Sequence, residues 1–147
     1  MKIMAKSILA GTAAFLLMQL IPYGKNHTNP PISSEPAWSS RDIRGLAKKA
    51  CFNCHSNETV WPFYASIAPV SWLVYYDVAA ARRELNFSEW QGGKREGEDA
   101  AAIARQIDKR EMPPFMYIMA HPEAGLSPDE KNRLVEGIRA TLKQTAK

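Results

Sequence analysis

Cys51, Cys54 and His55 carry the chemistry open to this chain. They stand in the run Cys51-Phe52-Asn53-Cys54-His55, and its two thiols are the only cysteines among 147 residues. Two thiols three residues apart on a helical turn can each add to one of two neighbouring haem vinyl groups. The histidine that follows then lies under the iron and can ligate it. This spacing is that of covalent c-type haem attachment. The same pair could form one disulfide, as in a thiol exchanger. It could also supply two of four zinc ligands, with the rest drawn from histidines scattered at 27, 55 and 121. Neither reading explains the neighbouring residues.

Iron bound by one histidine needs a second ligand or keeps an open position. The candidates are Met112, Met116, Met119 and His121. Met112 is favoured because Pro113 and Pro114 follow it. Two prolines forbid helix continuation and push the preceding residue into an extended conformation, which pins a loop. Met116 and Met119 lie in Phe115-Met116-Tyr117-Ile118-Met119, which reads as core or pocket filler. His121 precedes Pro122 and suits a surface turn. A His/Met pair raises the reduction potential relative to two histidines and leaves no position for a substrate, which points to electron transfer. An open sixth position would instead suit a haem-based sensor or a peroxidase-like protein.

These residues need helices to hold them. Residues 39–55 read as a first helix, with Ser39 and Asp42 as a capping box and Ile43, Leu46, Ala47, Ala50, Cys51 and Cys54 on one face. The thiols thus close an amphipathic helix on its apolar side. Trp61-Pro62-Phe63-Tyr64 follows, a loop aromatic enough to need an apolar body to cover. Trp61 and Tyr64 have polar tips that can bond a haem propionate. Residues 69–85 read as a well-buried second helix that includes Trp72. Residues 95–110 read as a third, ending before Met112-Pro113-Pro114. Ser127-Pro128-Asp129-Glu130 opens the last, with Ser127 as cap and Glu130 closing the box. No strand pattern and no internal repeat is present.

The length suits one domain. The net charge is +4, and Lys2 and Lys6 supply two of those charges in a segment without acids. No Lys/Arg cluster stands near stackable aromatics, so nucleic acid is not expected as a partner. Lys2 and Lys6 precede an apolar run from Ile8 to Ile21, which reads as an export signal. Bulky residues stand where a peptidase wants small ones. Residues 3–21 are close to the roughly 20 that cross a bilayer. The expectation is therefore a retained membrane anchor, with a cleaved signal as the alternative. Residues 1–22 are assigned to this segment, 23–38 to an extended proline-rich linker in which His27 is solvated, and 39–147 to the haem domain.

The chain resembles the bacterial haem-binding domain family, small exported proteins similar to class I cytochrome c. The resemblance rests on Asn29-Pro30-Pro31, Cys51 to Thr59, Trp61-Pro62-Phe63-Tyr64, Ala68 to Leu73, Glu84 to Trp90, Met112-Pro113-Pro114 and His121-Pro122-Glu123. It implies an all-α, cytochrome c-like fold around one covalently attached haem c. It also implies iron ligation by His55 and Met112, because Met-Pro-Pro is similar to the methionine loop of many cytochromes c. Cys51, Cys54, Trp61, Tyr64, Trp72 and Pro113 join His55 as expected haem contacts. Such a protein would need the cytochrome c maturation machinery and a redox partner, which the resemblance does not identify. Its place would be the periplasmic side of the inner membrane.

Overall fold

The computed structural model describes residues 2–145. Among these residues the structure is helical and has no strand, apart from an isolated bridge between Ser34 and Glu89. The all-α class is as expected. The residues form two compact units, one of the residues up to Thr28 with Trp61–Val78, the other of Asn29–Val60 with the residues from Ala79 on.

The first unit begins with α1 (Lys2–Met18). The helix stops because the next three amides bond three residues back. Gln19, Leu20 and Ile21 donate to the carbonyls of Leu16, Leu17 and Met18 at 3.1, 3.1 and 3.2 Å. Pro22 then offers no N–H to continue. No helix among the described residues is long and apolar enough to cross a membrane. The expected transmembrane span over residues 3–21 is therefore corrected to a shorter helix.

The Gln19 side chain pairs with the backbone of Ala68, donating to its carbonyl and accepting from its N–H, both at 2.9 Å. Tyr23 packs edge-on against Tyr75 with centroids 5.3 Å apart. Between them, Gly24 has φ +75, and a Cβ there would lie 2.4 Å from the Ser71 carbonyl oxygen. Only glycine allows that approach. The unit also holds the start of α4 (Val70–Glu84). Ser71 and Val78 of this helix are buried, whereas Val70, Leu73 and Tyr76 are exposed. The expectation of a well-buried stripe is corrected. The charged Asp77 stands on the same face, four residues from Leu73, and keeps that face at water.

The second unit contains α2 (Arg41–Ala50), α3 (Phe52–His55), α5 (Ala100–Asp108), α6 (Phe115–Ala120) and α7 (Pro128–Thr145). Its core joins Ile43, Leu46, Ala47 and Phe52 to Leu85, Phe87 and Trp90, to Ile103, Ala104 and Ile107 of α5, and to Leu134, Val135 and Ile138 of α7. The core positions in α2, α5 and α7 follow the 3-4 spacing read from the sequence. Helices α2 and α7 approach closely at Gly137, where a Cβ would lie 2.5 Å from the Ile43 side chain.

Two helix starts differ from expectation. Ser40, not Ser39, caps α2: its hydroxyl accepts from the Ile43 N–H at 3.2 Å. Ser39 is instead tied to α7, donating its hydroxyl to the Gly137 carbonyl and its N–H to the Thr141 hydroxyl, each at 3.0 Å. Helix α5 starts later than expected, behind Asp99, whose carboxylate accepts from the Ala102 N–H at 2.9 Å. The box that opens α7 is as read: the Ser127 N–H donates to the Glu130 carboxylate at 2.8 Å, and the Glu130 N–H to the Ser127 hydroxyl at 3.2 Å.

The proline-rich stretch before α2 is not a free linker. The Asn29 side chain donates to the Thr59 carbonyl at 2.9 Å, Ser33 N–H to the Ser88 carbonyl at 2.9 Å, and Trp38 Nε1 to Glu35 at 2.9 Å. Irregular backbone is held here by side-chain and backbone bonds together, as its polar groups require.

Candidate functional site

The chain from Arg41 to His55 forms two helices, not one. The break falls at Cys51, with φ −122 and ψ −36. The Cys51 N–H still donates to Ala47, so the thiol sits where α2 ends and the single turn of α3 begins. The His55 N–H closes that turn on the Cys51 carbonyl at 2.8 Å. Phe52 anchors it. Its ring is buried and lies 5.6 Å from Phe87 and 6.1 Å from Trp38, with the Arg44 guanidinium 5.1 Å above it. Burying such a side chain stabilises by roughly 1.5–3 kcal/mol. Asn53, the other intervening residue, donates its side-chain amide to the Tyr117 hydroxyl at 2.7 Å.

Cys51 is partly buried and packs against the core. Burial, with the nearby Cys54 charge adding to it, pushes its pKa up to about 12. It is therefore a neutral thiol at ordinary pH.

The His55 ring is fixed from behind. Its Nδ1 lies 3.0 Å from the Leu85 carbonyl oxygen and 3.2 Å from that of Ala81, at the end of α4. A carbonyl only accepts, so Nδ1 carries the proton and Nε2 holds the free lone pair. Burial lowers the imidazole's pKa from its ordinary value, outweighing the two carbonyls that favour the cation. The backbone is held as well, since the Phe87 N–H donates to the His55 carbonyl at 2.8 Å.

Arg82 organises the loop after His55. It donates Nε to the Ser56 carbonyl at 2.8 Å, and Nη2 to Thr59 Oγ1 at 2.9 Å and Asn29 Oδ1 at 3.0 Å. Its role depends on residues 23 to 53 positions away, and no spacing rule marks that.

Met112 follows α5, its N–H donating to the Gln106 carbonyl at 3.2 Å. Pro113 is buried, and Pro114 leads into α6. That helix was not read from the sequence, and its apolar residues are not core. Phe115, Met116 and Met119 are 72%, 72% and 61% exposed, and Met112 is 38% exposed. His121 pairs with Glu123 at 3.0 Å and stacks on Tyr117 at 4.7 Å.

Trp61, Tyr64 and Trp72 belong to the first unit. Trp61 stacks on His27 at 4.6 Å with the planes 10° apart, so His27 is held and not solvated. Its Nε2 is 3.1 Å from the Ala65 carbonyl. Tyr64 meets Phe63 edge-on at 5.6 Å. The Trp72 indole N–H is buried without a hydrogen-bond partner among the described residues.

Two adjacent thiols on one turn, and a neutral imidazole presenting its lone pair, form a donor set that fits a covalently held haem. Among the described residues no three His, Cys, Asp or Glu side chains group to hold a bare metal ion. A family model described as a haem-binding domain matches residues 13–140. The chain matches no curated protein and no solved structure.

Proposed function

Since the chain belongs to the haem-binding domain family, we propose that it is an electron carrier with one haem c, joined to Cys51 and Cys54 and ligated by His55 and Met112. The observation that carries this reading is the Nδ1 contact of His55 with the Leu85 carbonyl at 3.0 Å. That contact sets the tautomer, fixes the ring and leaves Nε2 for the iron. A second hydrogen bond of this kind also raises the basicity of a ligating histidine.

When bound, the haem supplies a one-electron iron couple. The chain's own residues position it. Phe52 and Asn53 hold the turn that bears the thiols. Met112 offers a thioether from a loop pinned by two prolines. The exposed side chains of Phe115, Met116 and Met119 supply apolar surface beside that loop, and an exposed patch of this kind asks for a partner or ligand. The raised Cys51 pKa argues against thiol exchange, which relies on a lowered one. The basic, apolar N-terminus supports export, and the proposed location is the bacterial periplasm, where the maturation machinery would attach the haem and a redox partner protein would collect the electron.

The test is haem staining on a denaturing gel, after expression with and without a cytochrome c maturation system. A stained band at the expected mass, lost in the Cys51→Ala, Cys54→Ala double variant, is the expected result. No stain in an exported, maturation-competent background would remove the premise. Carbon monoxide binding that is fast in the unmodified protein would favour an open sixth position and a sensor or peroxidase-like role.

A further inference from the structure

The His55 imidazole is placed by the turn that bears it and by the end of α4, which receives its Nδ1–H. The turn is weak by itself. Helix α3 has four residues, and Ser56 leaves it in an extended conformation, with φ −152 and ψ 172. A single helical turn is not stable alone. What holds the chain just after His55 therefore decides where the ring lies. Part of the hold comes from beyond the end of α4. The Phe87 N–H donates to the His55 carbonyl at 2.8 Å, the Asn57 N–H to the Ser88 hydroxyl at 2.9 Å, and the Asn86 side-chain amide to Asn57 Oδ1 at 3.0 Å.

On α4 itself the hold comes from Arg82, which directly follows Ala81, one of the two carbonyls that receive the imidazole. Its Nε donates to the carbonyl of Ser56, the residue directly after His55, at 2.8 Å. Its Nη2 donates to Thr59 Oγ1 at 2.9 Å and to Asn29 Oδ1 at 3.0 Å. A planar fork that bonds through two nitrogens fixes orientation as well as distance. Two neighbours on α4, Ala81 and Arg82, thus grip two neighbours at the site, His55 and Ser56. We propose that Arg82 is a positioning residue for the iron ligand: it holds the chain after His55 against α4 and so keeps the imidazole Nδ1–H on the Ala81 and Leu85 carbonyls. The role at the iron rests on the proposed haem reading; the placing of the ring does not.

A ligating histidine whose other nitrogen donates to an oxygen is the more basic ligand. It favours the oxidised, more positive iron and so holds the reduction potential down. Loss of the grip weakens that bond and raises the potential. Arg82→Lys is the informative change, because it keeps the positive charge and loses the fork.

The experiment is a redox titration of the haem-loaded full chain and its variants. Arg82→Lys should shift the iron about tenfold toward the reduced form, about 59 mV upward. Asn29→Ala leaves Arg82 in place and removes one of its acceptors. It should move the potential the same way by less, and it decides the matter if Arg82→Lys does not fold. Ser127→Ala removes the α7 cap, destabilises the second unit and should leave the potential where it is. An unchanged potential in the folded Arg82→Lys and Asn29→Ala variants, or an equal rise in Ser127→Ala, overturns the proposal. A second arm reads the ring without haem, through the imidazole nitrogen shifts of the haem-free full chain by NMR, at a pH where His55 is neutral. The parent should show the Nδ1–H tautomer, and Arg82→Lys a mixture with Nε2–H. If the unmodified protein takes no haem stain, the iron is removed and this arm decides alone. A mixture then keeps the positioning role, and the parent tautomer in both variants overturns it.

Discussion

Asn53 donates its side-chain amide to the Tyr117 hydroxyl at 2.7 Å, joining the turn that bears Cys51 and Cys54 to the helix that follows Met112. The two residues stand 64 positions apart. The same Asn53 also accepts, through Oδ1, from the Val60 N–H at 3.0 Å, so its side chain is fixed at both ends. The helix after the methionine loop is thus tethered to the turn that bears the candidate ligand His55.

Removing that tether should loosen the Met112 loop before it unfolds the protein. Tyr117→Phe deletes the hydroxyl and keeps the ring that stacks on His121. The expected loss of stability is about 1 kcal/mol, the usual net value of one hydrogen bond. Carbon monoxide should bind the reduced variant faster than the parent protein. An unchanged binding rate would mean that the tether does not steady the ligand loop.

Met112→Ala should convert a six-coordinate, low-spin spectrum to a high-spin one that takes carbon monoxide readily. Met116→Ala, Met119→Ala and His121→Ala should leave the parent spectrum in place. A low-spin spectrum in Met112→Ala, lost in one of the other three, would transfer the assignment to that residue.

Before haem attachment, the Cys51 thiol should be slow to alkylate. With a pKa of about 12, only about one molecule in ten thousand carries the thiolate at pH 8. Iodoacetamide labelling followed by mass spectrometry should show Cys51 modified slowly in the folded chain and rapidly in denaturant. Fast labelling in the folded chain would contradict the raised pKa.

Acid should weaken the second unit through Glu35. The Arg44 guanidinium, bonded to it at 2.6 Å, holds its carboxyl below the ordinary value of 4.5, with Trp38 adding to the effect. A carboxyl with a lowered folded pKa binds fewer protons folded than unfolded. Its contribution is therefore complete above about pH 4.5 and is lost as pH falls through the folded pKa. Glu35→Gln should be less stable than the parent at pH 7 and should lose less stability between pH 5 and pH 3. Chemical denaturation at a series of pH values reads this directly, and parallel curves for the two proteins would exclude the mechanism.

How much of this was legible in the residues depends on the range of the interaction. The motif at Cys51, Cys54 and His55, the all-α class, the apolar faces of α2, α5 and α7, and the Ser127–Glu130 box all follow from spacings of three or four residues. Such spacings are local geometry, and the chain states them on its own. The break of the first helix at Cys51 and the shift of the cap from Ser39 to Ser40 were not stated. Ser39 is drawn instead to α7, at Gly137 and Thr141, about a hundred residues away. Phe115, Met116 and Met119 read equally as core or as pocket filler, because apolar residues are ordinarily core, and the structure rules out only the core. Whether a helix face is covered depends on which elements pack against it. The same holds for His55. Its identity as a ligand candidate is written in the motif, but its tautomer is decided by two carbonyls at the end of α4, which only the folded chain brings to its Nδ1.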